Sequence, residues 1–406
     1  MEDTDFFNDK LSPKERDLYD RQFRLNGWNQ GILKNSRVLI AGVGGLGCEV
    51  AKNLAMVGVG TLDLLDMDVI EHTNLNRQIL FVEGNVGEPK ATVAAQALKR
   101  INPFITITGH YTSLERLDPA IYRKAHVIVG GLDSAIARLN LNAQAVRFKI
   151  PLVDGGVAGY NGHVYTIMPG ENACYECYPP SAVRSDEMAA CTVVGNPRKR
   201  VHCVFKATML FKDKFHADPN SKDIKHVTFL QDEANKLVRA HNFPPEFTKG
   251  EIVKIIDRHE PGIITVNAII ASLQSHETIK LLNWRAGNDK LGKPVTTYQI
   301  INAMTMKVYH VEKMRNPKCR QCGDQVKRID IDIKGHAKCA EIINALLRMG
   351  FTKDPEMEPT LTINDFNSVK IVDTDLTAAE NELRNLELLT AGGFKEGEIF
   401  ITLKLN

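Results

Sequence analysis

Between positions 37 and 90 the chain lines up residues that could bind a nucleotide and then act on it. Gly42, Gly44, Gly45 and Gly47 fit G-x-G-x-x-G directly after the apolar, branched run Val38–Val43. Glycine allows the tight turn there and lets the backbone approach a phosphate closely. A helix opening near Leu46 would offer unpaired N–H groups and a positive dipole end to that phosphate. Asp66 closes the next apolar run, TLDLLD, 19 residues after Gly47. That is about the offset of a carboxylate that holds ribose hydroxyls. These features alone say only that a nucleotide binds. Asn74 and Arg77 in an N-x-x-R, and Lys90 in GEPK, say more. A guanidinium is a planar fork suited to phosphate oxygens, and an ammonium is a compact point charge. Any one of them would be ordinary in a solvated loop. Three together, just past a nucleotide loop, suit a triphosphate that is attacked by a carboxylate and loses pyrophosphate. A dinucleotide dehydrogenase has no general need of them.

Two further groups carry chemistry. Asp133 follows the apolar run VIVGGL, at the edge of the sheet where open α/β folds bind ligands. It suits a magnesium ion bridging phosphates. It would equally serve as the N-cap of a helix starting at Ser134. Cys174 and Cys177 form one C-x-x-C pair, Cys319 and Cys322 a second, with 141 residues between them. Four thiolates in two such knuckles make a closed, structural zinc site if the intervening chain loops out. A redox C-x-x-C needs a thioredoxin-like βαβ setting, which neither pair has. Cys48 and Cys339 read as buried hydrophobes. Cys191 and Cys203 flank a basic stretch, Arg198–Arg200. Nearby cations favour thiolate, yet on composition alone either cysteine reads as a packing residue.

These residues need elements to hold them. From about Ser36 to Pro169 strands and helices alternate: VLIAGV, a helix from Leu46, TLDLLD, a helix from Pro89, FITIT, AHVIVGG, a helix over Ser134–Phe148, then PLVDGG. That rhythm predicts a mainly parallel sheet covered by helices. Residues 170–260 are polar and loop-rich, with helical fragments FLQDEANKLVRAH and KGEIVKIIDR. A long helix from Ile263 and the strands VTTYQII and MKVYHV then resume the α/β domain. After Cys322 a unit of about 80 residues reads RIDIDI, a helix over Ala340–Met349, TLTIND, SVKIVD, a helical LTAAENELRNLEL, a glycine turn and EIFITLKLN. This order suggests a β-grasp-like domain.

Composition bounds the function. The 406 residues are enough for two or three domains with full cores. A net charge of +2 gives no electrostatic case for nucleic acid. No apolar run reaches the roughly 18 residues of a membrane span. The start MEDTDFFNDK is acidic and lacks the apolar region of a signal peptide. A cytoplasmic protein with reduced thiols is therefore expected, and the eight cysteines point to metal or catalysis rather than disulfides.

The motifs GVGGLGCEVAKNLA, DMDVIEHTNLNRQ, GEPK, C-Y-E-C, CTVVGNPRKRVHC, TVNAIIAS and C-R-Q-C occur in this order over most of residues 15–323. In them the chain resembles the ubiquitin-like-modifier activating enzymes, especially the catalytic subunits that serve Nedd- and SUMO-type modifiers. The resemblance implies a Rossmann-like adenylation domain over 1–172 and 259–323. Between these it implies a zinc knuckle and helical catalytic-cysteine insertion over 173–258, and after them a ubiquitin-fold domain over 325–406. It implies ATP, Mg2+ and Zn2+ as cofactors. Gly42, Gly44, Gly45, Gly47, Asp66, Asn74, Arg77, Lys90 and Asp133 would then be ATP and magnesium residues. Cys191 would be the thioester nucleophile, and Cys203 structural. The partners implied are a ubiquitin-like modifier protein and a conjugating enzyme recruited by 325–406.

One departure stands out. Tyr19-Asp20-Arg21-Gln22 resembles a Y-x-R-Q motif that two-subunit members carry on the partner of the cysteine-bearing chain. Both features on one chain imply a homodimer with Arg21 acting in trans. An adenylating enzyme for a sulfur-carrier protein is the alternative. The insertion around Cys191 and the extra C-terminal domain weigh against it.

Overall fold

The computed structural model describes residues 11–178, 200–215, 217, 219–256, 262–365 and 368–406. Residues 11–178 and 262–406 belong to one compact unit, and 200–256 to a second.

In the first unit the short helices α1 (Pro13–Leu18), α2 (Asp20–Phe23) and α3 (Gln30–Lys34) lead into β1 (Arg37–Ala41) and α4 (Gly45–Met56). Then follow β2 (Thr61–Asp66), α5 (Lys90–Ile101), β3 (Thr106–Tyr111), α6 (Pro119–Lys124), β4 (Val127–Gly130), α7 (Ala135–Phe148), β5 (Leu152–Ala158) and β6 (Asn161–Ile167). The eight-stranded sheet is completed from far along the chain by β7 (Tyr298–Asn302) and β8 (Lys307–Val311), in the order β3-β2-β1-β4-β5-β6-β7-β8. Neighbouring strands from β3 to β5 pair in parallel, and the pairs from β5 to β8 are antiparallel. β1 is buried along Val38–Ala41 and sits between β2 and β4. An interior parallel strand covered on both faces must be apolar throughout, and VLIA is. Strand order reverses between β1 and β4, so the loops after these strands flank a switch point, where such sheets bind ligands.

The second unit contains α8 (Arg200–Phe215), α9 (Ile224–Ala240) and α10 (Lys249–Ile256), packed on a core that includes Cys203, Phe211, Leu230 and Phe247. Back in the first unit, α11 (Ile264–Arg285) is a 22-residue helix whose Val266, Ile270 and Ala271 join the core of the large sheet.

A separate core serves the C-terminal part. It comprises β9 (Lys327–Ile333), α12 (Ala340–Arg348), β10 (Thr360–Asp365), β11 (Ser368–Val372), β12 (Leu388–Gly392) and β13 (Ile399–Leu405). Its sheet runs β11-β10-β12-β13-β9, and its first and last strands pair in parallel. The expected helix over LTAAENELRNLEL is absent. Residues 376–387 form turns, and Leu388 opens β12. Asn381 explains the difference. Its buried side chain accepts from Asp373 N at 2.9 Å and donates to the carbonyl oxygens of Asp373 and Thr377 at 2.8 and 3.0 Å. Such local bonds compete with a helix. Glu382 and Leu386 then take positive φ, at 59° and 62°, which no right-handed helix accommodates.

Candidate functional site

β1 stops at Ala41, earlier than its apolar run, because Gly42 turns to φ +89°. A Cβ on Gly42 would lie 2.7 Å from the Gly131 carbonyl oxygen. A Cβ on Gly47 would lie 1.8 Å from the Gly42 carbonyl oxygen. Those two glycines let the loop, the first turn of α4 and the segment after β4 touch backbone to backbone. Gly44 differs: nothing lies within 4 Å of its Cβ position. It is the N-cap of α4 and has no side chain with which to cap, so that helix start is free for an anion.

Asp66 ends β2 beside this loop. Its Oδ2 accepts from Val43 N at 2.7 Å and its Oδ1 from Asp68 N at 2.8 Å. Burial pushes its pKa above the ordinary carboxylate value, against the opposing effects of those N–H groups and the Lys90 charge. The carboxylate therefore braces the glycine loop, and each oxygen keeps a lone pair for a further donor. Lys90 opens α5 and is buried; its ammonium donates to Asp68 Oδ2 at 2.9 Å. Asp68 is 59% exposed, so this pair is a weak one that a phosphate could displace. Sequence reasoning passed over Asp68, which lies just two residues beyond the expected acid.

Arg77 is held by its neighbours: Nη1 donates to Thr73 O at 2.8 Å and Asn76 Oδ1 at 3.2 Å. Its own carbonyl oxygen is 3.5 Å from the Cβ position of Gly45, so this turn abuts the start of α4. Asn74 is buried, and its Oδ1 accepts from Glu71 N at 3.0 Å. That bond closes the short turn ahead of Arg77 and gives Asn74 a scaffolding part.

Asp133 lies three residues past β4, exposed, with no partner among the described residues. Asp133 is not the N-cap of α7. Ser134 caps α7, its Oγ accepting from Ala137 N at 3.4 Å, which leaves Asp133 unused by the helix. An unpartnered carboxylate at the switch point fits a hard cation. Arg21 is exposed on α2 and likewise has no side-chain partner among the described residues. Its segment is anchored by Tyr19, whose fully buried hydroxyl accepts from Asn102 Nδ2 at 2.7 Å.

The four cysteines of the two C-x-x-C pairs meet. Their sulfurs all lie within 4.8 Å of one another, with Cys174–Cys319 at 3.8 Å and Cys177–Cys322 at 3.4 Å. Backbone N–H groups of Asn316 and Gln321 point at Cys177 Sγ and Cys319 Sγ, both at 3.4 Å. Such donors favour thiolates, and the set fits a tetrahedral soft metal. Cys191 lies outside the described residues. Cys203 is buried in the α8–α10 core, where burial pushes its thiol up. Arg200 spends its charge on Glu251, with N–O distances of 3.0 and 3.2 Å, and stacks over Phe247.

Behind the site is a polar cluster that no local motif announced. Asp154, on β5 and 1% exposed, accepts from Arg138, from the Tyr175 hydroxyl at 2.5 Å and from His163 Nε2 at 3.2 Å. Burial pushes its pKa up, but Arg138 and His163 outweigh that and hold it below the ordinary value.

A glycine loop at the switch point of a doubly wound sheet, with an acid at the end of β2 and a lysine at the start of α5, is the arrangement with which α/β proteins of this class hold nucleotides. The chain belongs to the ThiF family, whose model matches residues 19–322. It is 32% identical over 341 residues to the NEDD8-activating enzyme E1 catalytic subunit of Arabidopsis thaliana, covering 78% of this chain and 72% of that protein. The protein of the same name in Saccharomyces cerevisiae is 34% identical over 259 residues, covering 61% and 85%. Among solved structures, E. coli MccB with ATP superposes with a TM-score of 0.46 at 23% identity, covering 72% of this chain and 68% of that one. The resemblance read from the motifs is thus borne out. No helix among the described residues is long and apolar enough to cross a membrane.

Proposed function

We propose that the chain activates a ubiquitin-like modifier by adenylating its C-terminal carboxylate, forms a thioester with it on Cys191, and passes it to a conjugating enzyme. The observation that carries this reading is the open helix start at Gly44, flanked by Asp66, Lys90 and the Arg77 turn. The names of the relatives supply the class of modifier.

Phosphates of ATP would lie on the N–H groups opening α4, and ribose hydroxyls on Asp66. Asp133 would hold magnesium, which when bound spreads the charge of the phosphate oxygens. A carboxylate oxygen of the modifier attacks the α-phosphorus and the bond to the β-phosphate oxygen breaks, giving acyl-adenylate and pyrophosphate. Alignment by the loop and charge stabilisation by Lys90 and Arg77 are the contributions of the protein. The Cys191 thiolate then attacks the acyl carbon and AMP leaves. Zinc on Cys174, Cys177, Cys319 and Cys322 would be structural, and residues 325–406 would recruit the conjugating enzyme. Arg21, exposed and without a partner among the described residues, supports a homodimer in which it serves the partner's phosphates.

A non-reducing gel with labelled modifier tests the sequence of steps. The full chain should give a thiol-labile adduct, Cys191→Ala none, and a chain lacking 325–406 an adduct that it fails to transfer. An adduct persisting in Cys191→Ala would overturn the assignment. Normal transfer by the truncated chain would overturn the role of 325–406.

A further inference from the structure

The loop that carries Asp133 is tied down by one arginine. Arg138, in the first turn of α7, has a side chain only 12% exposed. Its Nη2 donates to the Leu132 carbonyl oxygen at 2.6 Å. Its Nη1 donates to Asp154 Oδ2 and lies 3.2 Å from His163 Nε2. Leu132 in turn rests on the nucleotide loop, its Cδ2 being 3.3 Å from the Cβ position of Gly42.

Asp154 fixes the other end. It stands opposite Gly130 in the parallel β4–β5 register, so it lies beneath the point where the Asp133 loop leaves the sheet. A carboxylate so buried depends wholly on its partners. One of those is Tyr175, which lies between Cys174 and Cys177. A single carboxylate oxygen thus joins the cysteine cluster to the arginine that holds the Leu132 carbonyl.

We infer that Arg138 is a positioning residue for magnesium-bound ATP: it fixes the backbone from which Asp133 projects, and Asp154 makes that placement depend on the cysteine cluster through Tyr175. This rests on Asp133 being the magnesium residue. A guanidinium suits the task because its rigid planar fork sends one arm to the carboxylate and another, from a different nitrogen, to the carbonyl, whereas an ammonium is a single point charge that fixes no such geometry.

The test uses the full chain and calorimetric binding of ATP, with magnesium and with chelator, alongside thermal melting. Arg138→Lys keeps a charge beside Asp154 and removes the fork. Its dissociation constant for magnesium-bound ATP should rise about tenfold, as for one lost bond to a charged donor, while binding of metal-free ATP stays within twofold. In an Asp133→Ala background the same change should alter affinity less than twofold. Tyr175→Phe, which leaves the Arg138–Asp154 pair in place, should shift magnesium-bound ATP the same way by a smaller factor, and it carries the test if Arg138→Lys does not fold. Lowered melting temperature with unchanged affinity in both variants would overturn the inference. So would effects of Arg138→Lys and Asp133→Ala that multiply. If Asp133→Ala alone leaves affinity unchanged, the magnesium assignment fails instead.

Discussion

Replacing Gly44 by alanine separates what the glycine loop does for the fold from what it does for the ligand. Gly44 has φ −84°, ordinary for any residue, and nothing within 4 Å of its Cβ position. The fold should therefore accept the methyl group. Alanine is a poorer N-cap than glycine, a cost of roughly 0.5–1 kcal/mol. That corresponds to a fall in melting temperature of only about 1 °C for a unit of this size. The ligand should not accept it. The methyl group would occupy the surface over which a phosphate must approach the N–H groups of α4. Hydrogen bonds to a charged group are worth about 1.5–3 kcal/mol, so the KM for ATP should rise about 10- to 100-fold. The assay is ATP–pyrophosphate exchange at varied ATP, beside a thermal melt. Gly47→Ala is the contrasting variant. Its Cβ would sit 1.8 Å from a backbone oxygen, so it should lose stability first, by about 3 kcal/mol or more. A Gly44→Ala enzyme with an unchanged KM for ATP would refute the placement of the phosphates.

Freshly purified protein should contain about one zinc per chain, and the Cys319→Ser, Cys322→Ser double variant none, as elemental analysis will show; four closed ligands make the metal part of folding stability. Arg21→Ala and Asp133→Ala should each be inactive alone, and subunit exchange between them should restore activity in one of the two sites of a mixed dimer. Mixed dimers that demonstrably form and stay inactive would place Arg21 in cis or require a different partner chain.

The residues differ in how far sequence disclosed them. The glycine loop, Asp66 and Lys90 were legible because strand, turn and helix each leave a local signature at fixed offsets. The meeting of the two C-x-x-C pairs was legible because two such knuckles together supply the four thiolates of a tetrahedral metal site. The stretch 376–388 misled for a local reason. Thr377 and Glu380 do form reciprocal capping bonds, at 3.3 and 2.8 Å, as a helix start would. The turn goes no further, because the Asn381 amide bonds to backbone brought there by β11. Asn74 reads from the sequence only as a phosphate contact, and its second part shows only in the fold: its side-chain oxygen closes the turn ahead of Arg77, which leaves the amide nitrogen as the donor. Asp154, Arg138, His163 and Tyr175 could not be found from spacing. They come from β5, α7, β6 and the cysteine knuckle, and only the folded sheet makes them neighbours.

The central claim is that ATP is used to activate a protein's C-terminal carboxylate. Its most direct test is exchange of labelled pyrophosphate into ATP, with recombinant β-grasp proteins ending in Gly-Gly offered one at a time. Exchange should appear only with the cognate modifier, should vanish when its Gly-Gly is removed, and should persist in Cys191→Ala. Exchange indifferent to the Gly-Gly tail, or ATP consumption with no modifier-dependent exchange at all, would contradict the account.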